Sequence, residues 1–459
     1  MDFNLLLDTD SYKGSHWLQY PPDLTAMGAY LESRGGENPD TLFFGLQMLL
    51  QDTLERPVTR GDVEEAADLW SAHGLPFNHQ GWQRLLSVHG GRLPLRIRAV
   101  PEGSRVPTGN VLMTVESTDP ALAWLVTWVE TLLLRLWYPT TVATRSWHFR
   151  ELLRAALEHS ADDPAAELPF RLHDFGSRGV SSHASAAIGG LAHLVAFRGT
   201  DTVAALVAGR RHYDDPMAGF SIPAAEHSTI LAWGQEHELE AYRTMLDRFA
   251  RPGAVLAVVS DAYDLWNAVD HLWGEQLREQ VIASGATVVI RPDSGDPVAI
   301  VPELLRRLEA RFGSRLNGKG YRLLEHVRVI QGDGITATSL PLVIEAILAA
   351  GFSVENVAFG MGGGLLQQVN RDSQRFAYKV SWVERAGRIR PVHKCPVTDP
   401  AKTSKAGVLD LIRDDRGYRT VVLERPEPHP ASCLQTVFEN GALRRRCSLE
   451  EVRARAMQG

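Results

Sequence analysis

Four apolar runs that each end in a short loop rich in Asp and Gly constrain the fold of this chain more than any other feature. The runs and their loops occupy residues 254–261, 287–295, 327–334 and 357–364. Successive loops lie roughly 30 to 40 residues apart, the length of one strand plus one crossover helix. Strands this uniformly apolar are typical of a parallel sheet that is buried on both faces. The pattern therefore predicts an α/β barrel, whose ligands bind at the carboxyl ends of the strands, where these Asp and Gly residues fall.

The last two of these loops indicate the kind of ligand. Gly332-Asp-Gly334 and Gly362-Gly-Gly364 follow the runs that the pattern predicts to be the final two barrel strands. In many α/β barrels the backbone N–H groups at this position bind a phosphate. The sequence therefore predicts an enzyme that acts on a phosphorylated small molecule.

The length of the chain predicts more than one domain, because 459 residues are too many for one compact core. We predict that residues 1–145 form the first part of an α+β domain and that residues 146–374 form the barrel. Residues 375–459 are predicted to return and complete the α+β domain. Their sequence pattern is typical of antiparallel β-strands, with hairpin turn signals at 414–417 and 439–441.

Composition argues against several classes of partner. The net charge is −7 and no extended run of Lys or Arg is present, so neither nucleic acid nor an anionic membrane is expected. Cys395, Cys433 and Cys447 have no CxxC spacing, which predicts a reducing compartment without disulfides or structural zinc. The N-terminus does not resemble a signal peptide. The apolar run 121–137 contains two charged residues and is too short to span a bilayer, so we expect a buried helix and a cytoplasmic protein.

Charged residues follow the predicted strands in positions suited to a phosphorylated sugar. Arg291 and Asp293 end one strand, where the Arg can bind phosphate and the Asp can bind sugar hydroxyls or water around Mg²⁺. Asp261 and Asp333 end two others. The residues leave open a purely structural salt bridge, or Asp side chains that only cap helices. Three carboxylates beside Gly-rich loops favour Mg²⁺ with a phosphorylated sugar.

Three further segments carry candidate residues. Phe175 and Arg178 lie in a Gly-rich loop, where they can stack on a heteroaromatic ring and bind a polar substituent or a leaving phosphate. A core Phe beside a surface Arg is the alternative. His227 lies near a predicted helix start and can act as a nucleophile toward phosphate, as an acid or base, or only as a hydrogen-bonding residue. Asp201 can accept a hydrogen bond from a substrate N–H, although on sequence alone capping of the next helix is the better explanation.

Seven motifs along the chain resemble those of one known family. They are Thr9-Asp-Ser-Tyr-Lys13, His173-Asp-Phe-Gly-x-Arg-Gly179, Arg198-Gly-Thr-Asp-Thr202, Pro223-Ala-Ala-Glu-His-Ser228, Ile290-Arg-Pro-Asp-Ser-Gly295, Ile330-Gln-Gly-Asp-Gly334 and Phe359-Gly-x-Gly-Gly-Gly364. In this order they resemble the nicotinamide phosphoribosyltransferases, a type II phosphoribosyltransferase family. The resemblance implies an irregular α/β barrel beside an α+β domain built from both chain ends, in a homodimer with active sites at the interface.

The implied reaction belongs to NAD salvage. The phosphoribosyl group of phosphoribosyl pyrophosphate is transferred to nicotinamide, which gives nicotinamide mononucleotide and pyrophosphate. The resemblance also implies Mg²⁺ as a cofactor and ATP as a co-substrate, whose hydrolysis through a phosphohistidine drives the reaction forward.

The same resemblance assigns roles to individual residues. It implies that His227 is phosphorylated by ATP, that Asp293 is catalytic, and that Asp261 and Asp293 hold Mg²⁺ through water. The pyridine ring is expected to stack between Phe175 and a Tyr12 from the other subunit. The residues implied in substrate binding are Tyr12, Phe175, Arg178, Asp201, Ser221, Arg291, Asp293, Gly332, Asp333, Gly362, Gly363, Arg371, Lys379, Lys402 and Lys405.

Three residues depart from those common in the family. Ser177 is expected to alter the tunnel lining, and Met361 and Ala377 the phosphate pocket. The alternatives are a nicotinate phosphoribosyltransferase and a non-catalytic binding protein on the same fold. Asp201 argues against the first, because a carboxylate repels the charge of nicotinate. The presence of the expected site residues argues against the second.

Overall fold

The computed structural model describes residues 3–399 and 402–458. The chain divides into two compact units. Unit 1 comprises residues 1–144, 209–215 and 370–459, and unit 2 comprises residues 145–208 and 216–369. Residues 209–215, which the sequence prediction assigns to the barrel, cluster with unit 1.

The strands are as follows in chain order. They are β1 (Leu24–Ser33), β2 (Asp40–Leu42), β3 (Leu95–Ala99), β4 (Arg105–Pro107), β5 (Val111–Ser117), β6 (Leu172–Asp174), β7 (Gly199–Thr200), β8 (Val255–Val259), β9 (Thr287–Arg291), β10 (Ser314–Leu316), β11 (Arg322–Leu324), β12 (Val327–Gln331), β13 (Val357–Met361), β14 (Phe376–Arg385), β15 (Arg388–Pro391), β16 (Val408–Asp414), β17 (Gly417–Leu423), β18 (Gln435–Glu439) and β19 (Ala442–Leu443).

Helices connect these strands. The α-helices are α1 (Leu46–Asp52), α2 (Arg60–Ala72), α3 (His79–His89), α4 (Leu125–Trp128), α5 (Glu130–Leu134), α6 (Trp137–Ser160), α7 (Pro164–Glu167), α8 (His183–His193), α9 (Val203–His212), α10 (His227–Leu231), α11 (Glu238–Phe249), α12 (Leu265–Asn267), α13 (Arg278–Ser284), α14 (Pro297–Phe312), α15 (Ser339–Ala349), α16 (Gly363–Leu366) and α17 (Leu449–Gln458). A π-helix spans Ala268–Gln276, and 3₁₀ turns span Leu5–Leu7, Ser11–Leu18, Pro120–Leu122, Leu168–Phe170, Ser177–Gly179, Gln235–His237, Val354–Asn356 and Arg371–Ser373.

Unit 1 is built around an antiparallel sheet that joins both ends of the chain. Its strand order is β15-β14-β1-β5-β3-β18-β19, so three strands from the first third of the chain lie in the centre, flanked on each side by two strands from the last third. The hairpin predicted at 439–441 forms between β18 and β19, with Asn440 and Gly441 both at positive φ, the backbone of a two-residue hairpin turn. Strands from both ends of the chain thus share one sheet.

Unit 2 holds the predicted parallel sheet, in the order β7-β6-β13-β12-β9-β8. A segment without regular strand geometry, residues 220–225, connects the two edges of this sheet. Phe220 N–H donates to Arg198 O (2.7 Å) next to β7, and Ala225 N–H donates to Ala257 O in β8 (2.9 Å). The sheet therefore curls into an irregular barrel, and all four apolar runs are strands in it, as predicted.

The barrel interior is filled by small and branched side chains. Ala257, Val289 and Ile330 form a buried cluster on adjacent strands, and Ile222 and Phe175 pack against it while half-buried. Small residues leave room above this layer for a ring. Phe175 therefore lies at the carboxyl end of the barrel rather than inside a closed core.

One helix prediction is wrong in detail. The run 121–137 is not one helix but a 3₁₀ turn followed by α4 and α5. Between α10 and α11, Gly234 has a φ of +82°, which does not fit a right-handed helix. Across residues 3–399 and 402–458, every helix is too short or too polar to cross a bilayer.

Candidate active site

The predicted site residues divide between the two units. Most lie on loops at the carboxyl ends of the barrel strands in unit 2, whereas Tyr12, Arg371, Lys379, Lys402 and Lys405 belong to unit 1.

The ring of Phe175 packs against two glycines at the ends of neighbouring strands. Its N–H donates to Met361 O (3.0 Å), which fixes its backbone beside β13. A methyl group on the Cα of Gly360 would lie 2.1 Å from ring atom Cε2, and one on Gly332 would lie 3.3 Å from the same atom. Only glycine at 360 leaves this place for the ring. Phe175 is half-buried, so the alternative interpretation of a Phe enclosed in the core does not hold.

The loop that carries Phe175 is anchored by Asp174, a residue that the sequence prediction missed. Its carboxylate is fully buried and accepts hydrogen bonds from Gly176 N–H (2.7 Å) and Thr200 Oγ1 (3.4 Å). Burial raises the pKa of Asp174. The sequence did carry a signal for this anchoring role, because an Asp in a loop commonly accepts a hydrogen bond from the backbone N–H two residues further on.

Arg291 and Asp293 form a two-point ion pair at the end of β9. Arg291 Nη2 and Nε lie 2.7 Å and 3.1 Å from the two carboxylate oxygens of Asp293. The guanidinium carbon of Arg291 is 5.7 Å from the centre of the Phe175 ring. A methyl group on Gly332 would lie 3.4 Å from Asp293 Oδ1. Cation, carboxylate and aromatic ring thus meet at one place above the barrel.

His227 is held between two carboxylates. Its Nε2 lies 3.1 Å from Asp261 Oδ1, and its Nδ1 lies 3.9 Å from Asp293 Oδ2. The other oxygen of Asp261 accepts from Asp293 N–H (3.1 Å) and Ser294 Oγ (2.6 Å). The side chain of Asp261 is only 5% exposed, whereas that of His227 is 41% exposed. Asp261 therefore orients the His227 ring through Nε2, while Nδ1 of His227 remains available to a ligand.

Asp201 and Arg178 occupy the exposed rim of the same end. Asp201 accepts a hydrogen bond from Ser221 Oγ (2.7 Å), and its own N–H donates to Asp174 O (3.0 Å). Arg178 is 89% exposed and lies 3.8 Å from Glu226, so its charge is available to an anion. The hydrogen-bond partner of the Asp201 carboxylate in these contacts is therefore Ser221.

The Gly-rich loops lie beside these residues. A methyl group on Gly179 would lie 3.2 Å from Gly363 N, so the loop after β6 packs closely on the loop after β13. Asp333 is exposed, and Gly334 adopts a φ of +70° in the turn after β12. Met361, by contrast, is fully buried, so its side chain does not line a phosphate pocket as its position led us to expect.

The carboxylates fit Mg²⁺ only through water. Oxygen ligands are what Mg²⁺ prefers, and it keeps several of its waters. Both Asp261 and Asp293 already accept hydrogen bonds or pair with Arg291. In the described part of the chain, no group of three or more His, Cys, Asp or Glu is arranged to hold a metal directly. The donor set therefore suits a hydrated ion bound on the outside of this pair.

Some of the predicted site residues of unit 1 line one cationic cavity. It has a volume of about 520 Å³, and Arg371, Lys379 and Lys402 line it together with Ala377. Burial lowers the pKa of Lys379. Three further cations in the lining, Arg34, Arg375 and Lys394, were not predicted. The cavity is suited to an anion.

Two predicted residues of unit 1 lie elsewhere. Lys405 is not in the cavity lining; its Nζ pairs with the buried carboxylate of Glu32. Tyr12 is 59% exposed on the 3₁₀ turn Ser11–Leu18, so its ring is available to a ligand or another chain.

Comparison with known proteins gives a consistent result. The nicotinate phosphoribosyltransferase (NAPRTase) family matches residues 170–442, and the nicotinamide phosphoribosyltransferase N-terminal domain matches residues 4–97. The chain is 57% identical to a nicotinamide phosphoribosyltransferase of Xanthomonas campestris pv. campestris over 99% of this chain and 98% of that protein. It is 32% identical to one from Acinetobacter baylyi, over 99% and 97% of the two chains.

Solved structures share the fold at lower sequence identity. Human nicotinic acid phosphoribosyltransferase matches with a TM-score of 0.62 and 19% identity, over 98% of this chain and 93% of that one. Nicotinate-nucleotide pyrophosphorylase from Pyrococcus furiosus matches with a TM-score of 0.62 and 14% identity, over 99% and 95% of the two chains. The predicted fold class is confirmed.

Proposed function

Since the chain belongs to the nicotinate phosphoribosyltransferase family, we propose that it transfers the phosphoribosyl group of phosphoribosyl pyrophosphate to nicotinamide. The products are nicotinamide mononucleotide and pyrophosphate. The observation that carries this proposal is the ring of Phe175 lying on Gly360 and Gly332, beside the Arg291–Asp293 pair. A flat base can stack there while a phosphorylated sugar is bound next to it.

Asp201 supports nicotinamide over nicotinate as the base. Its carboxylate is exposed at the rim and is oriented by Ser221, so one oxygen is free to accept a carboxamide N–H. The carboxylate of nicotinate would meet a like charge there and could donate no hydrogen bond.

The reaction exchanges one bond at the anomeric carbon for another. The bond from C1 to the pyrophosphate oxygen breaks, and the pyridine nitrogen donates its lone pair to form the new bond to C1. That nitrogen carries no proton, so no general base is needed. Charge accumulates on the leaving pyrophosphate, and Arg291 and Arg178 can stabilise it. Hydrated Mg²⁺, held by Asp261 and Asp293, would neutralise part of that charge when bound.

In this proposal the backbone of Gly332, Gly362 and Gly363 in unit 2 provides N–H donors to the phosphate end of the sugar donor. Separately, the cationic cavity of unit 1, with Arg371, Lys379 and Lys402, is proposed to bind an anion. We assign the exposed Tyr12 to the second face of the base, in a homodimer in which it comes from the partner subunit.

His227 is the residue proposed to couple ATP to the reaction. Asp261 lies 3.1 Å from Nε2 and can accept a hydrogen bond from a proton on that nitrogen. In the neutral ring with its proton on Nε2, Nδ1 carries a lone pair. Nδ1 can then attack the terminal phosphorus of ATP, with ADP as the leaving group, and water later hydrolyses the phosphohistidine.

One assay tests the proposed activity. Product formation is measured from nicotinamide and from nicotinate, each with phosphoribosyl pyrophosphate and Mg²⁺, with and without ATP. We expect a strong preference for nicotinamide and stimulation by ATP. Equal use of both bases would contradict the role of Asp201 and favour the nicotinate alternative. Failure to form product from either base would favour a non-catalytic binding protein.

A further inference from the structure

Unit 1 contains a second cavity whose lining includes none of the predicted site residues. Its volume is about 410 Å³, within the range of small-molecule binding sites. It lies between α1, the end of β3, the β18–β19 hairpin and α17, and it is lined by residues from both ends of the chain.

One side of this cavity is apolar. Leu46 and Leu50 from α1, together with Val100 and Val437, supply aliphatic surface. Such a floor favours a ligand with an apolar or ring-shaped body over a bare inorganic ion, because burial of that body is stabilising.

The other side carries a concentration of positive charge. Three consecutive arginines, Arg444 to Arg446, and Arg455 line it. The three are exposed, and two of them have only distant partners. Arg444 Nη2 lies 3.5 Å from Glu439 and Arg446 Nη2 lies 3.6 Å from Glu55, which is longer than the ~2.7–2.9 Å of a tight charged hydrogen bond. These guanidinium groups can therefore turn to an anion at little cost.

The two acidic groups in the lining offset only part of the charge of its four arginines. Glu102 is buried, and its oxygens accept from Gly45 N–H (3.1 Å), Gln47 N–H (2.6 Å) and Tyr213 Oη (2.8 Å). Glu451 accepts from Ser448 N–H (2.8 Å) at the start of α17. Both carboxylates are thus already used by the fold.

The arginine segment is held in place against α1. Gln47 Nε2 donates to Cys447 O (3.0 Å), and Cys447 N–H donates back to Gln47 Oε1 (2.8 Å). Arg444 N–H donates to Val437 O (2.8 Å). The cavity walls are therefore formed before any ligand arrives, which lowers the entropic cost of binding.

We propose that this cavity is a binding site for a small organic phosphate, separate from the proposed catalytic site. The phosphate is bound by Arg445 and Arg446, and the organic body packs on Leu46, Leu50 and Val437. A phosphate monoester carries nearly two charges at neutral pH and offers oxygens to two guanidinium forks at once. The cavity volume admits a mononucleotide.

Calorimetric titration of the full chain with adenosine 5′-monophosphate tests this site. The arginine variant is Arg445→Ala/Arg446→Ala, and its matched control is Arg388→Ala/Arg390→Ala, which removes two exposed arginines from β15. We expect affinity to fall at least tenfold in the first variant and to remain unchanged in the control. Adenosine and inorganic phosphate should each bind at least tenfold more weakly than the nucleotide.

Hydrogen exchange locates the binding event independently. Protection by the nucleotide is expected in α1 and in residues 444–455, with nicotinamide turnover unchanged in the arginine variant. Unchanged affinity in that variant, or protection confined to the barrel loops of unit 2, would overturn the proposal. Equal affinity for inorganic phosphate would overturn the assignment of an organic ligand.

Discussion

Gly360→Ala tests whether the place of the Phe175 ring determines base binding. Gly360 is a strand residue with an ordinary backbone, so alanine brings no backbone strain at this position. The new methyl group would lie 2.1 Å from Cε2 and 2.2 Å from Cδ2 of Phe175. The substitution therefore acts through the ring alone.

The size of the effect follows from the distances. Carbon atoms in contact prefer about 3.5–4.0 Å, so the ring must move by about 1.5 Å. Overpacking of this kind costs about 1–3 kcal/mol of stability. A misplacement of about 1 Å at a reacting site can cost about 10²-fold in rate. We expect kcat/KM for nicotinamide to fall on the order of 10²-fold, with most of the loss in KM for the base.

Initial rates with each substrate varied in turn measure this effect, and thermal unfolding measures stability. KM for phosphoribosyl pyrophosphate should change much less than KM for nicotinamide. Gly61→Ala is the control, because its new methyl group would meet only Thr59 Oγ1 at 3.8 Å on an exposed helix. That variant should keep full activity and at least the original stability.

The double variant Gly360→Ala/Phe175→Leu separates stability from binding. Removing the ring relieves the collision, so the thermal midpoint should recover toward that of the unmodified protein. Affinity for nicotinamide should stay low, because the stacking surface is gone. An unchanged KM for nicotinamide in Gly360→Ala would refute the assignment of Phe175 to the base.

Three further variants test other parts of the site and the fold. Asp201→Asn should relax the preference for nicotinamide over nicotinate by at least tenfold in the ratio of kcat/KM values, since the like charge is removed. His227→Ala should abolish stimulation by ATP while some basal synthesis remains; stimulation at the original level would count against a phosphohistidine. Burial lowers the pKa of His193 to about 3, so the unfolded chain takes up a proton there as the pH falls below ~6.5 while the folded chain does not. Stability is therefore lost on acidification, by about 2 kcal/mol at pH 5. Urea titration at pH 7.5 and pH 5 should show that much less pH dependence in His193→Gln, and an equal dependence would contradict the assignment.

The barrel could be predicted because its signal is repeated and local. Each of β8, β9, β12 and β13 is an apolar run that ends in Asp or Gly, and the spacing between them indicates a crossover helix. The closure of the barrel could not be predicted. Residues 220–225 form only isolated bridges to the flanking strands and include Pro223, so no strand pattern marks them.

The sequence allowed the site residues to be identified, but not which of them contact one another. Asp261, His227 and Asp293 were each identified from the ends of strands or the start of a helix. Only the structure shows that Asp261 joins the other two, through His227 Nε2 and through Asp293 N–H. These contacts link residues about thirty positions apart, and sequence periodicity carries no information about side-chain direction at that distance.

The glycines of one motif at the barrel rim have two different roles. In the segment Phe359-Gly-x-Gly-Gly-Gly364, the sequence analysis treated the last three glycines as a phosphate loop and gave Gly360 no role. The structure separates them by what a side chain would meet. Alanine at Gly363 would meet nothing within 4 Å, whereas alanine at Gly360 would collide with Phe175. Gly363 is therefore replaceable on steric grounds within the protein, so any loss of activity in Gly363→Ala would come from contact of the new methyl group with the phosphate or from a shifted loop backbone. Loss at Gly360 must come from the ring and the base, so the two substitutions should raise different KM values.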